Sequence, residues 1–136
     1  MSKLVCDIVT PEAKLLSQDA YMVIVPAAKG EMGFLINHEP LISVLNVGTA
    51  RIHTDQGGEV LSYAVQGGYV EVTGTKVVIL ADRALAVSDI DVAQVKALLA
   101  DLDKQFAEIS EDEAGKTTLA TDIAWCKEQI RAVEAK

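Results

Sequence analysis

From Lys3 onward the chain alternates: Leu4, Cys6 and Ile8 fall on one face and Val5, Asp7 and Val9 on the other, the period of a strand with one side against a core. Thr10 to Lys14 reads as a turn and Leu15-Leu16 as a brief edge strand. Ala20 to Val25 reads as a strand stopped by Pro26, which has no N–H to offer a ladder. Arg51 to Thr54 and Glu59 to Gln66 form the arms of a hairpin closed by Asp55-Gln56-Gly57-Gly58. Gly67-Gly68 interrupts the run that follows and predicts a bend, a bulge or a close backbone approach. Thr73-Gly74-Thr75 then turns the chain into a last strand, Lys76 to Ala81. Turn signals about every 8 to 12 residues, with no helical period among them, predict a mainly β region: an antiparallel β-sandwich of about ten short strands.

The period changes after a linker at Asp82 to Val87. Ser88, with Asp91 three residues on, reads as a helix-starting cap. Val95, Leu98, Leu102, Phe106 and Ile109, and then Leu119, Ile123, Cys126, Ile130 and Val133, recur at spacings of three and four, which predicts two amphipathic helices. Ser110 to Gly115, with Ser110 and Glu113 as a second capping pair, is too short a connection for anything except an antiparallel hairpin. The predicted domains are therefore a sandwich at 1–87 and a helical hairpin at 88–136. Two helices without further packing are only marginally stable, so docking of the hairpin is expected to be conditional.

Composition narrows the chemistry. Half of the 136 residues are hydrophobic but only 4% are aromatic, so the core must be aliphatic. A net charge of −8 excludes nucleic acid as a partner, because a phosphate backbone demands clustered Lys and Arg. The same acidity disfavours direct adsorption to anionic lipid, so any membrane association is expected to be indirect, through another protein. No apolar run approaches the roughly 18 to 20 residues of a membrane span, and the start leads into strand alternation rather than a signal-peptide core. Cys6 and Cys126, far apart and without a second pair, suit reduced thiols in a cytosolic compartment rather than a disulfide framework or a metal site. Gly115-Lys116-Thr117 is not a phosphate loop, since Ser110 stands where the first glycine would be needed. With His38 and His53 the sole histidines, nothing in order or spacing supports a catalytic triad.

The stretch from Gly30 to Val47 is the most informative. Gly30 and Gly33 bracket Glu31 and Met32, so the backbone is expected to turn on either side of an exposed acid. Asn37 tolerates the left-handed conformation and Pro40 holds its predecessor extended, which sets His38 on a surface corner between Phe34-Leu35-Ile36 and Leu41-Ile42. Taken alone, Glu31 and His38 are loop residues that cap turns. One alternative makes them the acid–base pair of a small-ligand-binding or enzymatic β-sandwich, which predicts a deep pocket near His38. Another is a free-standing adaptor that uses an exposed strand edge.

The same stretch resembles the G-E-x-G-(apolar)-x-x-x-H-x-P-L-(apolar) signature of the epsilon subunit of bacterial and chloroplast F-type ATP synthases, the counterpart of the mitochondrial delta subunit. Val9-Thr10-Pro11-Glu12 and Gly67-Gly68-Tyr69-Val70-Glu71-Val72, followed by Val77 to Asp82, agree with that family in order and spacing. The resemblance implies a non-catalytic rotor subunit on the cytoplasmic face of an energy-transducing membrane. Its sandwich would bind the gamma subunit and the c-ring, coupling proton translocation to ATP synthesis, and its hairpin would modulate ATP hydrolysis through the alpha and beta subunits. It implies that Glu31 and His38 contact the polar loops of the c-ring. Ile36-Asn37 stands where the family commonly has Pro-Gly, and Glu39 where a small residue is usual. Some members bind regulatory ATP through an apolar-Asp-x-x-Arg-Ala motif, which makes Asp91, Lys127 and Arg131 the candidate residues here. Gln94 replaces the motif's arginine and removes a cation for phosphate oxygens, so no cofactor is expected. The hairpin is itself net acidic, which weakens inhibition by charge attraction to an acidic loop.

Overall fold

In the computed structural model, which describes residues 3–109 and 115–134, the alternating segments pair into one folded sheet. Among the described residues there are eight strands rather than about ten: β1 (Leu4–Val9), β2 (Lys14–Ala20), β3 (Met22–Ala27), β4 (Gly30–Phe34), β5 (Leu41–Val44), β6 (Gly48–His53), β7 (Val60–Val72) and β8 (Lys76–Ala86). They lie in the order β2-β1-β8-β7-β6-β3-β4, with β5 on β7. All neighbours are antiparallel except β1 and β8, which run parallel. The strands are fewer because several are longer than local pattern suggests. The expected two-residue edge strand at Leu15-Leu16 is a seven-residue β2, held by its ladder to β1 from Leu4↔Ala20 to Val9↔Lys14. The expected linker from Asp82 belongs to β8, which continues to Ala86 because it pairs with Tyr63 to Gln66. Pro26 does not stop β3; the β3–β6 ladder ends at Ile24↔Arg51, so no N–H is required of it on that side.

Gly67 and Gly68 do not end β7 but bend it, with φ of 64° and 98°. A Cβ on Gly68 would lie 1.9 Å from the Leu80 carbonyl oxygen, so the two strands approach at a distance that only glycine permits. The bend has a structural result. Before it, Val60 to Val65 pair with β6; after it, Tyr69 to Val72 pair with β5 on the same edge of β7, so the sheet folds over itself into two layers. Between them lies an aliphatic core that includes Leu4, Ile8, Val23, Phe34, Ile52 and Ile79. Phe34 is the largest fully buried side chain.

Asp7, on the other face of β1, is buried beneath two lysines, with Lys76 Nζ at 3.1 Å and Lys14 Nζ at 3.6 Å. The Ser17 hydroxyl across on β2, Lys76 and Lys14 hold its carboxyl below the usual carboxylate range, against the opposing effect of burial. The cluster ties β1 to both of its neighbours.

The chain divides into two compact units, Met1–Ala86 and Val87–Lys136. In the second, a single 3-10 turn at Val87–Asp89 precedes α1 (Val92–Glu108) and α2 (Gly115–Glu134). Asp91, not Ser88, caps α1; its carboxylate accepts from the Gln94 amide at 3.2 Å. The helices meet through Leu102, Ile123 and Cys126, with Val95, Leu99, Phe106 and Leu119 packed around them. Leu99 takes the inward place expected of Leu98, which is half exposed. At 100° per residue, positions 95, 99, 102 and 106 fall within about 60° of one another, and Leu98 lies at the margin of that stripe. The capping pair expected at Ser110 and Glu113 lies outside the described residues.

Candidate functional site

Glu31, the second residue of β4, lies opposite Pro26 of β3, and Arg51 of β6 sits opposite Ile24, two residues along the same strand. Directly opposed residues share a face and side chains alternate, so Glu31, Pro26, Ile24 and Arg51 share one face of this layer, on which Pro26 is buried and Glu31 is exposed. Arg51 reaches diagonally across β3, and its Nη2 donates to both carboxylate oxygens of Glu31, at 2.9 and 3.0 Å. Gly33 does not turn the chain as expected but lies within β4 opposite Ile24, so the row from Gly33 through Ile24 to Arg51 is open at its β4 end. Arg51 was missed by sequence reasoning. The signal for it was a long cation alternating with the inward-facing Ala50 and Ile52, but its partner depends on register.

His38 closes a turn that begins at Leu35, whose carbonyl accepts from the His38 amide at 3.2 Å. Asn37 takes φ of 69° there, supplying the left-handed residue that glycine gives in the family pattern. The Asn37 amide also donates to the Gly74 carbonyl at 2.6 Å, which pins the corner to the turn between β7 and β8. The imidazole stands edge-on to Phe34, with ring centroids 5.0 Å apart, and its Nδ1 lies 2.7 Å from the Glu39 carbonyl. A carbonyl can only accept, so Nδ1 carries the hydrogen, and in the neutral ring Nε2 is then the acceptor. The His38 ring thus has two partners, the Phe34 ring and the Glu39 carbonyl.

Glu31 and His38 are not brought together. Glu31 precedes Phe34 by three residues, about 10 Å of strand, and His38 lies beyond the other end of β4. Each has its own partners, so the acid–base pair of the ligand-binding or enzymatic alternative does not form.

A second surface runs across the outer layer of β5, β7 and β8. Val44 pairs with Tyr69 and Tyr69 with Leu80, so three exposed apolar side chains form one cross-strand row, and Ile42, more exposed still, extends it along β5. Beside the row, Val9, Pro11, Tyr69, Leu80 and Asp82 line a groove of about 360 Å3. A continuous apolar strip on one sheet face differs from ordinary scattered exposure.

On the hairpin, Asp91 is occupied as the α1 cap, Lys127 is exposed, and Arg131 is paired with Glu128, its Nε donating to a carboxylate oxygen at 2.8 Å. Among the described residues no three His, Cys, Asp or Glu side chains gather as a metal site, and no helix is long and apolar enough to cross a membrane.

A two-layer sandwich with exposed contact surfaces, followed by a helical hairpin, defines a docking subunit of the sandwich-plus-hairpin class. Residues 3–87 match the beta-sandwich domain of the ATP synthase Delta/Epsilon chain. The chain is 45% identical over 91 residues to the ATP synthase epsilon chain of Desulforamulus reducens, covering 67% of each. To the ATP synthase epsilon chain of Halorhodospira halophila it is 34% identical over 135 residues, 99% of this chain and 95% of that one, hairpin included. The chain belongs to the ATP synthase epsilon family. Its fold is also that of a chain in the cryo-EM structure of Euglena gracilis mitochondrial ATP synthase, OSCP/F1/c-ring in rotational state 1, with a TM-score of 0.81 at 20% identity over 98% of this chain and 82% of that one.

Proposed function

We propose that the chain is a non-catalytic subunit of the rotor of an F-type ATP synthase, coupling proton flow through the c-ring to ATP synthesis. The exposed row Ile42, Val44, Tyr69 and Leu80 supports this, because it gives the sandwich a continuous apolar face for a permanent partner. In this proposal that partner is the gamma subunit. The Glu31 end of β4 and the His38 corner meet the polar loops of the c-ring. His38, held by Phe34 and Glu39, presents Nε2 to a hydrogen-bond donor there. Membrane association runs through the ring, on the face of the membrane where the F1 sector lies.

The hairpin is the regulatory part, acting on ATP hydrolysis through the alpha and beta subunits. We infer that it acts mechanically and not by sensing nucleotide. ATP would have to take Asp91 from the Gln94 amide and Arg131 from Glu128, and Gln94 brings no cation in return. Hydrolysis and proton pumping by the cognate complex, reconstituted with the full chain or with one ending at Ser88, test both halves. Truncation is expected to raise hydrolysis while pumping survives. Unchanged hydrolysis would remove the regulatory role of the hairpin, and a complex that pumps equally well without any form of the chain would remove the coupling role of the sandwich.

A further inference from the structure

The carboxylate assigned to the ring contact is not a free acid. Both of its oxygens are held by one nitrogen of Arg51, two strands away, and the pair lies on the outer surface, where it is accessible to a partner. Among the described residues Arg51 Nε is buried without a hydrogen-bond partner, although the side chain as a whole is exposed, so only its inner edge is dry while Nη2 reaches Glu31. The unpartnered Nε is a cost that the bonds from Nη2 to Glu31 offset but do not remove.

We propose that Arg51 is the positioning residue of the Glu31 contact: it fixes the carboxylate across β3 and cancels its charge, so that the sandwich edge offers the ring an oriented ion pair. The proposal rests on the assignment of Glu31 to that contact. Its chemical consequence concerns the partner. Each oxygen of Glu31 still has acceptor capacity after bonding Arg51, whereas the net charge of the pair is zero. The matching group on the ring loop is then a neutral donor, such as a backbone amide or a side-chain amide or hydroxyl. A lysine or arginine there would add a third charge and be opposed by Arg51. A contact of this kind depends on geometry more than on ionic strength, because a neutral pair offers little for salt to screen.

The test uses the reconstituted complex, with the amount of bound subunit measured for every variant and proton pumping expressed per ATP hydrolysed. E31Q is expected to lower that ratio about threefold and R51M by a similar factor, since methionine keeps the apolar stem over Ile24 but leaves Glu31 unheld. If Arg51 acts through Glu31, the double variant is no worse than the poorer single variant, and R51K, which keeps the charge but ends one bond short of the Nη2 that holds Glu31, recovers only part of the loss. A merely structural role would reduce the bound subunit while leaving the ratio per assembled complex at its normal value, and that result overturns the proposal. So does full coupling in R51M alongside impaired coupling in E31Q. Normal coupling in E31Q would instead show that Glu31 is not the ring contact, removing the assignment beneath it. Should R51M melt early, R51K carries the same comparison: coupling between that of wild type and E31Q supports positioning, and coupling at or below that of E31Q overturns it.

Discussion

The sandwich and the hairpin are built from similar aliphatic residues, yet they keep their interiors in different ways. In the sandwich each inward side chain is enclosed by two layers; Leu4, Ile8, Phe34, Ile52 and Ile79 have no exposed surface. Within the hairpin the shared cluster of Leu102, Ile123 and Cys126 is small, and the side chains around it, such as Val95 and Leu99, are only partly buried. Beyond that seam α2 also buries Glu128, Gln129 and Ala132, but the aliphatic cluster that the two helices share is narrow. The sandwich is therefore the more fully enclosed unit, and the hairpin is the one expected to open locally.

The two cysteines allow the widest test of that difference. Cys6 is enclosed in the sandwich core, where burial and then the neighbouring Asp7 charge push its thiol up to about 12. Cys126 is buried in the hairpin seam. Under alkylation at about pH 8, Cys126 is expected to react at least about a hundredfold faster than Cys6, because local opening exposes one and only global unfolding exposes the other. Equal rates, followed by mass spectrometry of the two peptides, would mean that the halves open as one.

Gly68→Ala should damage the sandwich and leave the hairpin alone. Its added methyl meets the Leu80 carbonyl and its backbone has φ of 98°, so a loss of about 3 kcal/mol in the sandwich transition is expected. Chemical denaturation followed at a sandwich probe checks this, and a loss below about 1 kcal/mol would show that the β7 bend tolerates a side chain.

Asp7→Asn gives the smallest change and a distinctive pH signature. The Asp7 carboxyl titrates below its ordinary value of 3.8 when folded, so the stabilisation it brings is complete above that pH and is lost as pH falls through the lower folded value. Near pH 7 the wild type should exceed the variant by about 1–2 kcal/mol, and the two should converge as pH falls through the lowered folded value. Parallel stability curves across that range would mean that the lysine pair contributes nothing specific.

Much of this was readable in advance, and the errors have a common source. The Leu4 to Ile8 alternation, the Thr73 turn and the His38 corner follow from local chemistry, since each depends on a few adjacent residues and their backbone preferences. Strand ends were misplaced where pairing overruled local signals: Ser17, Gln18 and Asp19 fall outside the expected edge strand at Leu15-Leu16 but are held in β2 by β1. Likewise Leu98 and Leu99 have the same chemistry, and only the position of the second helix selects which of them turns inward. Arg51 shows the limit for the candidate site, because no spacing in one dimension relates residue 31 to residue 51.

What the sequence determined by itself was the two-part plan, the period of each part, the aliphatic character of the core and the turn that carries His38. These are properties of neighbouring residues, and a chain carries them before it folds. Only the tertiary structure decided that Glu31 is bound by Arg51, that Glu31 and His38 lie at opposite ends of β4, and that Val44, Tyr69 and Leu80 join into one surface. The physical reason is register: a ladder of hydrogen bonds fixes which distant side chains stand opposite one another, and moving it by a single residue would turn every one of them to the other face.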